Sequence, residues 1–285
     1  MTFAEKLARV VELADELQLA VADLTAAQEP GGPAQTPGAA LGIGSRNHFQ
    51  IDVGRSGDTA ITTKTEAQLA AGWQQEPYFY TDPLQPGWAL FGVRVDGPTT
   101  PNTKYPRAEL RELERDGRTK MAFNPLIGDN WLSATSRPLH LPLVKPSVVF
   151  GQLHDNADDV IELAVQPTSS YLTSGKLEVV CRINGTSTGI PKLVADYHIG
   201  DPLTWMMRVG SFGWEIYLGE LGTPRLTSKQ AGRPKLATLG KNAYFKAGCY
   251  LQTNTAIEGN ATDYGLVAVA NLKHWHTGWP TPAVA

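Results

Sequence analysis

Three short segments place ionisable and polar residues where a β-strand normally buries apolar ones. They are Arg107-Ala-Glu-Leu-Arg111, Gln152-Leu-His154 and Tyr244-Phe-Lys-Ala-Gly-Cys-Tyr-Leu-Gln252. Side chains two apart on a strand share a face. One face then carries Arg107, Glu109 and Arg111, a second Gln152 and His154, a third Tyr244, Lys246, Gly248, Tyr250 and Gln252. The opposite faces carry Ala108 and Leu110, then Leu153, then Phe245, Ala247, Cys249 and Leu251. Three such strands in one sheet make a dry side and a wet, cation-rich side. That surface suits a long anionic polymer and proton chemistry on it. A guanidinium offers a carboxylate a fork of donors. An imidazole serves as base or donor, and a phenol gives a proton or, once ionised, takes one. Gly248, without a side chain, is expected to let a polymer approach the backbone.

Composition bounds what surrounds these residues. The chain has 285 residues, of which 42% are hydrophobic, enough for a packed core. Net charge is −3, so attraction for an acidic ligand has to be local, in a cleft lined by Arg and Lys. Nucleic acid is disfavoured as a partner, because there is no basic tail and no zinc-finger spacing. No stretch approaches the ~18 apolar residues of a membrane span, and no membrane partner is expected. The two cysteines, Cys181 and Cys249, fall in expected strands and read as buried free thiols, with a disulfide the alternative.

Apolar residues recur at helical spacing from Leu7 to Leu24, which predicts a short amphipathic N-terminal helix. A Pro/Gly/Ala stretch from Glu29 to Gly44 reads as a flexible linker. Residues 1–44 thus form one unit and 45–285 another. The second shows strands at Ala89–Val95, Val148–His154, Val160–Val165 and Leu177–Ile183, followed by Leu193–Ile199, Thr204–Val209, Trp214–Leu218, Tyr244–Gln252 and Tyr264–His274. So many strands without intervening helices predict an all-β fold, a two-sheet β-sandwich of jelly-roll type.

In this order the three opening segments resemble the signature of polysaccharide lyase family 7, the alginate lyases. That family shows an Arg-x-Glu-Leu-Arg strand, a Gln-Ile/Val-His strand and a Tyr-Phe-Lys-Ala-Gly-x-Tyr-x-Gln strand. KYPRAELRE (104–112), Trp131, His140 and YHIGDPLTW (197–205) extend the resemblance over roughly residues 45–276. Leu153 departs from the usual Ile or Val and leaves the preferred sugar open. Leu251 departs from a frequent Asn but points away from the cleft by strand alternation. The resemblance implies a jelly roll with a concave substrate groove, an anionic uronate polysaccharide as partner, and no metal or cofactor. It also implies a monomer and extracellular action, although the chain shows no signal peptide.

The implied reaction is β-elimination: a base removes the proton on C5, the C4–O bond breaks, and a C4=C5 double bond remains. The adjacent carboxylate must be neutralised for that proton to leave. By resemblance Arg107, Gln152 and His154 surround the carboxylate, and Tyr250 is the acid and often the base. Syn elimination, on mannuronate, suits one residue doing both jobs. Anti elimination, on guluronate, suits His154 as base and Tyr250 as acid. Glu109, Arg111, Tyr244, Lys246 and Gln252 are expected to extend the groove.

Taken one at a time, these segments read as solvated strand faces with weak ion pairs. Their joint occurrence favours a site. His274 and His276 are two apart but have no evident third metal ligand, and are expected to sit on an ordinary terminal strand. Two other functions fit the same residues: a lyase on another polyuronate such as glucuronan, or a jelly roll that binds an acidic glycan without cleaving it.

Overall fold

The computed structural model of the chain describes residues 35–101, 103–155, 158–170, 174–183, 190–219, 223–227 and 242–279. The helix expected between residues 3 and 24 lies outside them. Strands are numbered along the chain. An eight-stranded antiparallel sheet runs in the order β10 (Lys192–Tyr197), β9 (Leu177–Ile183), β8 (Asp159–Pro167), β7 (Val148–His154), β14 (Tyr244–Leu251), β5 (Arg107–Glu112), β1 (Phe49–Val53), β2 (Thr62–Lys64). A seven-stranded sheet runs β13 (Leu226–Thr227), β12 (Gly213–Leu218), β11 (Leu203–Gly210), β6 (Asp129–His140), β15 (Tyr264–His276), β4 (Ala89–Arg94), β3 (Phe79–Thr81). The fold is the all-β, jelly-roll sandwich that the turn-rich strand pattern predicts.

Alternation explains the layering. The dry faces of β1, β5, β7 and β14 supply Phe49, Ile51, Leu110, Phe150, Leu153 and Phe245, all buried in one core with Phe91, Trp205, Trp214 and Val267 from the other sheet. The indole of Trp205 donates to Ser136 Oγ at 2.9 Å, which satisfies its one polar atom inside that core. Gly151 is there because a Cβ would lie 2.7 Å from the Trp205 ring. Both cysteines are free and buried.

Two sequence expectations need correction. Residues 35–44 are folded rather than linker-like: Thr36 caps a helical turn, α1 (Pro37–Ala40), and Leu41 and Ile43 enter the core. Asn47 Nδ2 ties that turn down by donating to Leu41 O at 2.6 Å and to Leu272 O at 2.7 Å. The folded unit therefore begins before residue 45. Gly248 does not open the backbone to a polymer. It sits in a bulge of β14, where Ala247 and Tyr250 face Gly151 and Val149 of β7, with two residues between the first pair and one between the second. Its φ is +145°, and a Cβ there would meet Ala108 O at 2.5 Å and Phe91 Cδ1 at 3.1 Å. Glycine serves the backbone at this position, and a side chain would collide with the interior of the protein.

Candidate active site

The register of three neighbouring strands assembles the site. β14 lies between β7 and β5, pairing Tyr244 with His154, Lys246 with both Gln152 and Arg111, and Tyr250 with Arg107. Their polar faces form the floor of a cavity of about 830 Å³. Arg107, Arg111, His154, Tyr244, Lys246, Tyr250 and Gln252 all line it. Gln152 and Glu109 do not; they are 0% and 1% exposed and lie beneath the floor.

Glu109 is the hub of that lower layer. It accepts from Lys246 Nζ, from Gln152 Nε2 and, at 3.3 Å, from Arg107 Nη1. A buried carboxylate so surrounded holds two cations in register. Glu109, expected to extend the groove, lies beneath it, bonded to Arg107 and Lys246, which line it. Gln152, expected at the substrate carboxylate, lies beneath the floor and donates from Nε2 to Glu109, while its Oε1 has no partner among the described residues. Burial lowers the Lys246 ammonium, and Glu109 opposes the shift.

The upper layer is aromatic and cationic. The Arg107 guanidinium stacks 4.3 Å from the Tyr250 ring centroid, and that of Arg111 3.8 Å from Tyr244. Arg107 Nε and Arg111 Nη1 are buried donors without a partner among the described residues. Both arginines line the cavity, and their positive charge favours an incoming anion. Burial pushes the Tyr250 phenol above its usual range, outweighing Arg107. Burial first, then Lys246, lowers His154, and Asp159 opposes them. At neutral pH Tyr250 therefore holds its proton and His154 is neutral. Its Nδ1 faces the backbone oxygen of Asp155, an acceptor, so Nδ1 carries the hydrogen and Nε2 the lone pair.

Several wall residues escaped the sequence reading: Tyr105, Lys145, Asp159, Glu162 and Arg182. Glu162 and Arg182 are cross-strand partners at interior positions of apolar strands, and that mismatch with their neighbours is the signal that marks them. Arg182 donates to Gln252 Oε1 at 3.1 Å, to Ser147 Oγ at 3.0 Å and to Gln166 Oε1 at 2.8 Å, so Gln252 is held in the wall rather than projecting freely. The wall carries seven Lys and Arg (Lys104, Arg107, Arg111, Lys120, Lys145, Arg182, Lys246) against Asp52, Asp158, Asp159 and Glu162. The resulting field should screen. KM for a polyanion is expected to rise a few-fold on going to ~1 M salt, where the Debye length is about 3 Å, with kcat less affected. Initial rates across a salt series check this.

A second cluster lies under the other end of β5. Glu112, His274 and His276 bring their ligand-type atoms within 4.8 Å of one another, so the third group missing from the sequence reading is Glu112. Hydrogen-bond accounting gives His274 Nδ1 to a proton rather than to a metal. His274 Nε2 accepts from His48 N–H at 3.1 Å, so its Nδ1 bears the hydrogen donated to Glu112 Oε1 at 2.6 Å. A cation on Nδ1 would leave that ring with no proton at all. His276 Nδ1 faces Asn130 Oδ1 at 2.9 Å and its Nε2 faces Glu112 Oε1 at 2.8 Å. Asn130 Nδ2 already donates to Ile127 O and Val209 O, which fixes that amide, so His276 Nδ1 donates to Asn130 Oδ1.

A β-sandwich with a guanidinium-lined groove and an imidazole and a phenol in one wall defines a polysaccharide lyase. Comparison with known proteins agrees. An alginate lyase from Klebsiella pneumoniae is 23% identical over 273 residues, covering 80% of this chain and 87% of that protein. The crystal structure of the alginate lyase from Corynebacterium sp. superposes with a TM-score of 0.71 at 22% identity, over 86% of this chain and 100% of that one. The alginate lyase AlgAT5 from polysaccharide lyase family 7 gives 0.69 at 27% identity, over 85% and 99%. A family model described as alginate lyase matches residues 43–276. The chain belongs to the alginate lyase family, and its function is cleavage of alginate.

Proposed function

We propose that the groove cleaves alginate by β-elimination with His154 as base and Tyr250 as acid. Arg107, whose guanidinium lines the cavity, holds the uronate carboxylate and lets the C5 proton leave. Nε2 of His154 takes that proton. The C5–H electron pair forms the C4=C5 double bond, the C4–O4 bond breaks, and O4 takes the proton of Tyr250 Oη. Proton exchange with water then restores both side chains. What supports this division of labour is that His154 and Tyr250 line one cavity, where burial shifts the phenol up and the imidazole down. Arg111, Tyr244 and Gln252 flank the reacting sugar, while Glu109, Gln152 and Lys246 fix the floor. The wall is complete within one chain, which suits a monomer.

Two residues on separate acid and base duties suit anti elimination. Polyguluronate should therefore be degraded faster than polymannuronate. Absorbance of the unsaturated product on polyguluronate, polymannuronate, mixed blocks and glucuronan tests this. Faster cleavage of polymannuronate would return the base role to Tyr250. Silence on every alginate block would remove the reading.

A further inference from the structure

β8 brings two carboxyl groups to His154 that the elimination scheme above does not use. Asp159 is the cross-strand partner of His154, and its Oδ1 lies 3.3 Å from His154 Nε2, the nitrogen that takes the C5 proton. Glu162 is the cross-strand partner of Gln152 on one side and of Arg182 on the other. It is buried, hydrogen-bonded to Asp159, and 3.6 Å from Arg182 Nη1. Two carboxyl groups in hydrogen-bond contact hold one proton between them, since neither carboxylate can donate.

We propose that Asp159 is a positioning residue for His154 and that Glu162 is its proton-holding partner. Together they place one negative charge, and not two, beside the ring. The single charge stabilises the imidazolium that forms when the C5 proton arrives, because the new Nε2–H can then be donated to Asp159 Oδ1. A second charge would repel the uronate carboxylate bound at Arg107. The inference rests on the elimination reading, in which His154 is the base.

The surroundings fit this division. Around Glu162 stand Asp159 on its own strand, Arg182 on β9, Glu109 on β5 and Tyr250 on β14. Burial first, then Asp159, raises the Glu162 carboxyl to about 8, with Arg182 opposing. Around His154 stand Lys246 and Tyr244 on β14, Glu109 on β5, and Asp155 and Asp159. Among these, Asp159 is the carboxylate nearest the basic nitrogen.

The test is a pH titration of the His154 ring by NMR in the full chain, with its signals assigned by their loss in His154→Asn. Asp159→Asn should lower the His154 midpoint, and Asp159→Glu, which keeps the charge, should restore most of it. In the wild type the ring signals should show a second inflection near pH 8, absent in Glu162→Gln. With alginate, Asp159→Asn should lower kcat on the order of tenfold with little change in KM. Wild-type KM should rise several-fold above about pH 8, and that of Glu162→Gln should not. An unmoved midpoint in Asp159→Asn, or an alkaline inflection that survives Glu162→Gln, overturns the proposal. The ring titration needs no turnover. It therefore decides this point even if the wild type releases no unsaturated product, a result that would count against the elimination reading alone.

Discussion

Tyr250→Phe should lower turnover of alginate by about 10²- to 10⁴-fold, the usual contribution of one general acid. The substitution removes only the oxygen. The ring keeps its contacts with Val149, Ala164 and Val180 and its place under the Arg107 guanidinium. Groove shape and polymer affinity should therefore stay near wild type, and the loss should fall on kcat. Burial holds the phenol protonated, so the wild-type acid is ready across the neutral range. Steady-state rates from the unsaturated product, set beside calorimetric binding of an oligouronate, separate the two effects. A variant within tenfold of wild-type kcat would remove Tyr250 from the acid role.

Much of this arrangement is legible in strand periodicity. Arg107, His154 and Tyr250 stand at positions whose parity sends them to one face, and cross-strand register then brings them together. What parity cannot give is depth. Glu109 and Gln152 share the face of Arg107 and His154, yet they lie beneath the floor because Lys246 and Arg107 fold over them. Parity also fails at Gly248, where a bulge gives β14 one residue more than β7.

Composition hides other elements. β6 pairs with β11 on one side and β15 on the other, but Asp129 to His140 reads as Ser, Thr and a Pro and escaped the strand search. Its small hydroxyl side chains are buried because β6 passes beneath larger neighbours: Ser136 takes the Trp205 indole N–H, and Thr135 bonds Thr204. The carboxyl pair on β8 escaped for a related reason. Glu162 sits in a run of Val, Ile, Leu and Ala that announces a core strand, and only the pairing with His154 and Arg182 gives it a task.

Glu112→Gln should destabilise the folded chain by about 3–5 kcal/mol, the cost of breaking a buried charge pair from one side. Each oxygen of Glu112 faces donors. Oε1 accepts from His274 and His276, and Oε2 accepts from Phe245 N–H at 2.9 Å. An amide must turn its own N–H₂ toward one of those sets, and it brings no negative charge to the buried cluster. The cluster joins β5 and β14 of one sheet to β15 and β6 of the other, so the loss falls on the packing of the sandwich. For a domain of this size the fall in Tm is roughly 10 °C. Burial raises Glu112, but His276 and His274 outweigh it and hold the carboxyl near 2. The sign follows. With the folded pKa depressed, the wild-type contribution is complete above the unfolded value of about 4.3 and is lost as pH falls toward about 2. His274, lowered by burial, adds a loss that begins below about 6.5. Thermal unfolding followed by circular dichroism should therefore show the two Tm curves far apart at pH 7 and converging in acid. Equal Tm values at pH 7 would mean that Glu112 carries no charge worth keeping.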